Sequence, residues 1–504
     1  MSDAAEAASV LLTRGRGSPQ VYAVRRSEAL RFFGGFIAFP GGRVGPADAA
    51  LDPPLDGRRA AAARELFEET GVLVARRPDD SFPAGPDLEP LRRELLADRL
   101  PFADVLGALG ARVRAEDFAR VGDLVTPPFT AVRFDTTFFV AHLPPGQEPV
   151  IWPGELDAGW WETAQTLLAR WKLGELVSPP TVSLLQAVEG LPIHLLPERL
   201  APLLASIEAG AIHPIYFAPG VRMIPLRTIA LAPATHTNAF LVGGESAYLL
   251  DPGPADPAEQ GRLFDILDSE QAAGRRLAAV VLTHHHPDHI GAAGACAERY
   301  GVPVWAHPWT AERLRGKVAV SRLIDEGDRV ELGAAADGAP GWHLRAVHTP
   351  GHAPGHLAFY DPHYRFLYAS DMVSTLTSIV IAPPEGDLAV YLDSLRRLMA
   401  LDSRLLLPAH GGPSSRPRQT LEEALAHRAK REAMLLAALG PAPRTVPDLA
   451  VELYKGLPAP LMRFAELQVL AGLEKLQREG RAESAGAGWR RPLSSGTEPP
   501  PALQ

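Results

Sequence analysis

Two short apolar runs, ASVLLTR and VYAVRR, open the chain, and their Val, Leu and Tyr residues predict strands of a mixed sheet. A Gly-rich turn, FPGGR at 39–43, and a Pro-rich loop follow. Next comes a helical stretch from about Arg58 to Thr70, with Gly71 placed to stop it as a C′ residue. Residues 76–122 read as a helical insertion, RFDTTFFVAHL at 133–143 as a return to strand, and GWWETAQTLLARW at 159–171 as helix. Between 190 and 225 amphipathic helix mixes with Pro-rich chain, as at a junction. From about 226 strand-like runs recur: AFLVGG, AYLLDPG, AAVVLTHHH, VPVWAHP, LRAVHTPGH, LAFYDP, RFLYASD and LLLPAHGG, with helical stretches between several of them. Many end in His or Asp, which puts those side chains at strand ends and loops, where sites are usually built. The pattern changes again near 416. TLEEALAHRAKREAMLLAAL is one long amphipathic helix, Thr445 to Asp448 spells a T-x-x-D helix start, and FAELQVLAGLEKLQREG is a third helix ahead of Trp489.

Three regions follow from this pattern. We expect a first domain over 1–190, a linker over 191–225, a second domain over 226–415, a winged-helix module over 416–492 (three helices and a terminal strand pair) and a disordered tail over 493–504. A soluble fragment is expected to begin near Ala234. At 504 residues the chain is too long for one ordinary core, which agrees with several domains. Apolar residues at 46% and charged residues at 22% are ordinary for globular proteins, and a net charge of −9 argues against a chain devoted mainly to nucleic acid. The single cysteine, Cys296, excludes an intramolecular disulfide framework and removes thiolates as the source of a metal site. The N-terminus has acidic residues and no long apolar run, and no stretch approaches a membrane span, so the expectation is a cytoplasmic protein without a membrane partner.

Four of the 16 histidines fall within positions 284–289, in THHHPDHIGAA. Neither a core, where imidazole is costly to desolvate, nor a solvated surface accounts for that crowding. Metal ligation does, given partners from elsewhere. The pattern H-x-H-x-D-H is carried by His284, His286, Asp288 and His289; HTPGHAPGH adds His352, LYASDMV adds Asp371 and LLPAHGGP adds His410. Five His and two Asp suffice for two metals with three ligands each and one shared carboxylate. Imidazole and carboxylate without thiolate suit zinc, with iron or manganese as alternatives. His285, His348 and His356 read as supporting or structural histidines.

This order of motifs resembles the metallo-β-lactamase superfamily. The resemblance implies an αββα sandwich with two zinc ions: one on His284, His286 and His352, the other on Asp288, His289 and His410, with Asp371 bridging. Zinc lowers the pKa of a bridging water, so hydrolysis by hydroxide is implied, with Asp288 among the catalytic residues. The helices that follow resemble the winged helix of the lactamase-β-like endoribonuclease family, whose substrate is single-stranded RNA. Residues 416–491 hold 13 Lys+Arg against 9 Asp+Glu, a balance of 13 − 9 = +4, compatible with RNA but no proof of it. TPGH and ASD also occur in glyoxalase II-type thioesterases, so phosphodiester and thioester cleavage both stay open.

A second constellation lies in the first region. RELFEETGV at 64–72 places Glu65, Glu68 and Glu69 at i, i+3 and i+4 on one helix face, with Arg64 able to pair with Glu68. Three neighbouring carboxylates repel one another unless a hard cation takes them, and oxygen ligation favours Mg²⁺ or Mn²⁺. With FPGG upstream, these residues resemble the Nudix family, an α/β/α sandwich, and RFFGGFIAFPGGR with RFDTTFF looks most like its coenzyme A diphosphatase branch. The resemblance makes Glu65, Glu68 and Glu69 catalytic and metal-binding, puts Gly41, Gly42 and Arg64 at the bound metal and phosphates, and implies a nucleotide-diphosphate substrate such as a coenzyme A derivative. The FPGG-to-REL spacing is longer than the usual box, and Asp56 occupies the upstream position where Glu is common. The whole reads as a multidomain α+β hydrolase. Its alternative is an RNA-processing endoribonuclease whose Nudix domain senses a nucleotide.

Overall fold

A computed structural model describes residues 4–15, 19–31, 33–51, 55–130 and 132–492. The tail expected to be disordered lies outside the described residues.

In the first region the strand Ala5–Arg14 is central to a seven-stranded sheet, parallel to Phe134–His142 and antiparallel to Gln20–Arg26. Val10 and Leu12 point into a core with Leu66 and Phe67 of helix Gly57–Thr70, while Leu11 points the other way, toward Leu168 and Trp171 of helix Ala164–Lys172. This period-two alternation buries both faces and makes the sheet the middle layer of an α/β/α sandwich. Helix Gly57–Thr70 starts at Asp56, whose side chain accepts from the Arg59 N–H at 2.9 Å, and ends at Gly71 with φ 74°, where only glycine is unstrained.

Three local expectations change. Gly41–Arg43, expected as a turn, is a short strand against Ala7–Ser9; a Cβ on Gly41 would lie 2.2 Å from the Ala8 carbonyl oxygen, so the pairing needs glycine. Residues 119–122, expected within a helical insertion, open the strand Ala119–Val125, because pairing with Phe134–His142 outweighs their sparse apolar pattern. Gly159–Glu162 belongs to the strand Leu156–Glu162 rather than to a helix, which begins only after Thr163 caps Thr166 N–H at 3.2 Å.

The second region is two sheets face to face. One has seven strands, from Ile215–Ala218 to Arg322–Leu323; the other has five, from Arg329–Gly333 to Leu405–Pro408. Phe240 and Val242 meet Phe359, Tyr368 and Leu407 between the sheets, with the Phe240 and Tyr368 rings edge-to-face at 5.3 Å. Leu241 and Leu406, one residue out of phase, face outward to helices Pro257–Ala272 and Leu388–Met399 respectively. The result is an αββα sandwich.

The expected linker over 191–225 is structured. It contains helix Leu196–Glu208 and the strands Ile215–Ala218 and Val221–Arg227, whose Ile215, Phe217 and Met223 lie in the inter-sheet core beside Phe36, Phe129 and Leu176 of the first region. A fragment beginning at Ala234 would lose both strands, so its expected solubility does not follow. The Pro-rich pattern concealed them because their buried partners come from distant sequence.

The C-terminal module packs helices Pro417–Ala438, Val446–Leu453 and Met462–Arg478 around Leu435, Leu449, Leu473 and Leu476, and a strand pair, Glu483–Ala485 with Gly488–Arg490, closes it. Thr445 caps the middle helix through Asp448 N–H. Leu421 and Ala471 sit in the core beneath Leu388–Met399, so the module is packed against the sandwich. Among the described residues no helix is long and apolar enough to cross a membrane.

Candidate metal centres

Strand Arg276–Val281 leads directly to Thr283 and His284. His286 has extended backbone (φ −65°, ψ 147°) ahead of the short helix Pro287–Ile290, which turns Asp288 and His289 back toward His284. His352 follows strand Trp342–His348, Asp371 follows Phe366–Ser370, and His410 follows Leu405–Pro408. Residues scattered over more than a hundred positions therefore arrive at one end of the sandwich.

Two sets form. His286 Nδ1 lies 3.0 Å from His284 Nε2 and 2.9 Å from His352 Nε2, and Asp371 Oδ2 lies 3.4 Å from His352 Nε2. Opposite them, His410 Nε2 is 3.3 Å from Asp288 Oδ2 and 3.4 Å from Asp371 Oδ1, and His289 Nε2 is 3.6 Å from Asp371 Oδ2. Asp371 stands between the sets, with one oxygen toward each of His352 and His410.

Supporting contacts decide which nitrogens are free. His352 Nδ1 donates to the Val380 carbonyl at 2.8 Å and His410 Nδ1 to the His236 carbonyl at 2.9 Å; carbonyls only accept, so in the neutral rings both Nε2 atoms present lone pairs. Asp251, 2.9 Å from His289 Nδ1, orients that ring, and it also takes the Thr283 N–H at 2.8 Å and hydroxyl at 2.6 Å. Asp251 is a site residue that motif reading missed; its signal was another strand ending in a carboxylate, AYLLDPG.

Burial and the surrounding imidazoles hold His284 well below its ordinary pKa and His286 down to about 3, so both are neutral donors. Burial also opposes charge on His289 and His410, but Asp288 and Asp371 (with Asp251 beside His289) raise both above the usual histidine value. Against its own burial, Asp371 is held well below the carboxylate range by His410 and His289. His289 Nε2 and Asp371 Oδ1 are buried without a hydrogen-bond partner. Converging lone pairs and orphaned acceptors are costly unless a cation takes them, and this donor set of nitrogen and oxygen fits zinc-class ions. The neighbouring histidines are employed otherwise: His285 pairs with Glu385 at 3.2 Å, His348 Nε2 donates to Pro354 O at 2.8 Å, and His356 bonds Thr349 Oγ1 at 2.8 Å.

In the first region Glu65, Glu68 and Glu69 line a cavity of about 670 Å³ together with Gly41, Gly42 and Arg26. Glu69 accepts the Gly41 N–H at 2.8 Å, and a Cβ on Gly42 would lie 2.4 Å from the Glu65 carboxyl carbon, so glycine makes room for the acid. Burial raises Glu65 to about 7 and, with Glu65 beside it, Glu69 to about 8; Glu68 is raised too, again by burial. Carboxylates so placed are short of positive charge, which suits a hard divalent ion.

Two expectations shift here. Arg64, expected at the bound metal and phosphates, bridges Asp48 (2.9 Å), Glu65 (2.9 Å) and Glu68 (2.8 Å), and so positions the acids. Asp56 is not the upstream acid of the site, because it caps the helix; buried Asp48 takes Arg64 with both oxygens instead. Counting residues back from Arg64 therefore selects the wrong carboxylate. Arg92, also missed, donates to the Glu68 and Glu69 carbonyls at 3.0 and 2.8 Å and closes the helix end beneath the acids.

Family comparisons agree with this layout. The Metallo-beta-lactamase superfamily matches residues 232–410, the Beta-lactamase associated winged helix domain residues 445–489 and the NUDIX domain residues 4–97. A lactamase-like protein nscB of Trichophyton rubrum is 32% identical over 206 residues, covering 40% of this chain and 58% of its own. A hydroxyacylglutathione hydrolase of Bdellovibrio bacteriovorus is 28% identical over 163 residues, covering 32% and 57%. The chain thus spans a little over half the length of these relatives. Among solved structures, a metallo-beta-lactamase family protein of Thermus thermophilus is 28% identical, covering 55% of this chain and 100% of its own, with a TM-score of 0.46. A NUDIX hydrolase of Alicyclobacillus acidocaldarius is 32% identical, covering 37% and 91%, with a TM-score of 0.34. The chain is a three-part member of two hydrolase families, a Nudix domain followed by a metallo-β-lactamase superfamily domain and its associated winged helix.

Proposed function

We propose that the protein is a hydrolase with two metal centres that act on different bonds. The lactamase-fold centre would hold two zinc ions, with His284, His286 and His352 as donors for one, Asp288, His289 and His410 for the other, and Asp371 available to both. The observation that supports this reading is Asp371 itself: a buried carboxylate between two sets of imidazole nitrogens, with Oδ1 making no hydrogen bond. Ions bound there would acidify water and polarise the bond under attack. The protein's own part is orientation: Asp251, Val380 and His236 hold three imidazoles in the ligating tautomer, and Asp288 can accept a hydrogen bond from the attacking water. In the Nudix centre, Glu65, Glu68 and Glu69 would hold Mg²⁺ or Mn²⁺, which would neutralise the diphosphate of a nucleotide-linked substrate such as a coenzyme A derivative.

A thioester is the favoured substrate of the lactamase-fold centre. One relative is named for hydrolysing hydroxyacylglutathione, a thioester, and a coenzyme A thioester would give both centres a bond in related metabolites. The RNA reading, with the Nudix domain as a sensor, draws on the winged helix and its +4 balance, but many of the module's basic side chains are engaged within the protein. Arg418, Arg444, Lys475, Arg478, Arg481 and Arg490 of that module are all in ion pairs, and Arg431 donates to the Leu453 carbonyl at 3.0 Å while lying over Tyr454. Charge neutralised in place releases few counterions from RNA.

Purified protein reconstituted with zinc should carry close to two transition-metal ions and cleave acyl-coenzyme A thioesters, with coenzyme A and single-stranded RNA as parallel substrates. No bound transition metal would sink the dinuclear reading; RNA cleavage without thioesterase activity would reverse the substrate choice. At the Nudix centre, Gly42→Ala should push the Glu65 carboxylate aside and lower Mg²⁺-dependent diphosphate cleavage about 100-fold in initial-rate measurements. An unchanged rate would remove Glu65 from the reaction.

A further inference from the structure

We infer that the winged-helix module is a buttress for one half of the dinuclear centre, with Arg428 as its positioning residue; this rests on the dinuclear reading above. Three paths run from the module to residues flanking His352 and Asp371.

In the first, Arg428 on helix Pro417–Ala438 and Gln468 on helix Met462–Arg478 both donate to the Ile379 carbonyl, Gln468 at 2.8 Å, and Arg428 also donates to Gln468 Oε1 at 3.0 Å. The next carbonyl along, that of Val380, is the acceptor that orients His352. A loop carbonyl gripped by two side-chain donors, one of them charged, leaves its neighbour little freedom to turn away. In the second path the Arg428 guanidinium lies 5.2 Å from the centre of the Tyr391 ring, and the Tyr391 hydroxyl donates at 2.7 Å to the carbonyl of Met372, the residue after Asp371. In the third, Arg478 grips both oxygens of Asp387 at 2.7 and 2.8 Å, and the Asp387 N–H donates at 2.7 Å to Gly351, the residue before His352. Gly351 is pressed so closely on Tyr391 that a Cβ would lie 2.3 Å from its backbone, so movement of one displaces the other.

The other half is supported differently. His289 is oriented by Asp251 and His410 by His236, both inside the sandwich. Loss of the module contacts should therefore weaken the ion on His284, His286 and His352 more than its neighbour. It also follows that deleting the module would harm turnover of a small thioester, because metal is lost before any grip on a long substrate matters.

The test is a zinc titration of the full-length chain against a chromophoric chelator. Arg428→Met keeps the aliphatic packing and removes the donors; it should raise the dissociation constant of one ion about 10- to 100-fold while the second changes much less. Arg428→Lys, which can still donate to Ile379, should recover part of the loss. Wild-type constants for both ions, or equal weakening of both, would overturn the inference. If circular dichroism shows metal-free Arg428→Met to be unfolded, Arg478→Leu at the half-exposed pair decides: selective weakening supports the buttress and unchanged constants overturn it. A wild-type chain that binds no transition metal would instead bring down the dinuclear reading, and the inference with it.

Discussion

Asp371→Ala is expected to abolish hydrolysis at the lactamase-fold centre while leaving a folded protein. The expectation follows from position. The carboxylate lies within reach of both ligand sets, 3.4 Å from His352 and 3.4 Å from His410. Removing a contact that merely orients a ligand costs about 10- to 100-fold in affinity or activity; removing a ligand shared by both ions should cost well beyond that. The core should survive, because Phe240, Phe359, Tyr368 and Leu407 bury the sandwich independently of the site. The check is threefold: metal content below two ions, no detectable thioesterase activity, and cooperative thermal unfolding close to that of metal-free wild type. Two tightly held ions in Asp371→Ala would show that the carboxylate bridges nothing.

Glu68→Gln carries the second large effect, an about 10²- to 10⁴-fold loss of diphosphate cleavage with the zinc-dependent activity unchanged. The substitution preserves shape and removes one negative charge from a triad in which burial already disfavours ionisation. The side-chain amide that replaces the carboxylate can still accept from Arg64, so the helix should not move; what the site loses is charge for a hard cation. The two centres are built on different sheets, so the effect should stop at the Nudix domain, even though the domains share a packed junction through Phe36 and Phe217. Parallel assays on coenzyme A and on a thioester decide it. Loss of both activities would mean that the centres are coupled across that junction.

Much of both centres was legible along the chain because their geometry is local. Glu65, Glu68 and Glu69 share a face in any α-helix, and Arg58 to Thr70 could be read as helix from its stop glycine and periodicity. His284, His286, Asp288 and His289 lie in one loop whose Pro287 starts a helical turn, so that part of the proposed ligand set is nearly prebuilt. The αββα and α/β/α layering was implied by the two family resemblances, and alternation such as Phe240, Leu241 and Val242 bears out the first of them in the strands.

Other features were decided only by distant chain. Asp48 rather than Asp56 meets Arg64, because Asp56 is taken up as the helix cap and residue counting cannot see which acid the fold brings to the guanidinium. Asp251 became a supporting acid once strands Ser246–Leu250 and Arg276–Val281 paired side by side. The supposed linker became two sheet strands because Ile215 and Phe217 found buried partners on other elements. The winged helix, whose charge pattern pointed outward to RNA, sends Arg428 inward to the loop that holds His352. Helical and strand periods are written in neighbouring residues, so sequence alone determines which side chains share a face. Which faces meet is set by burial and hydrogen bonding between residues far apart in the chain, and that is determined only when the chain closes on itself.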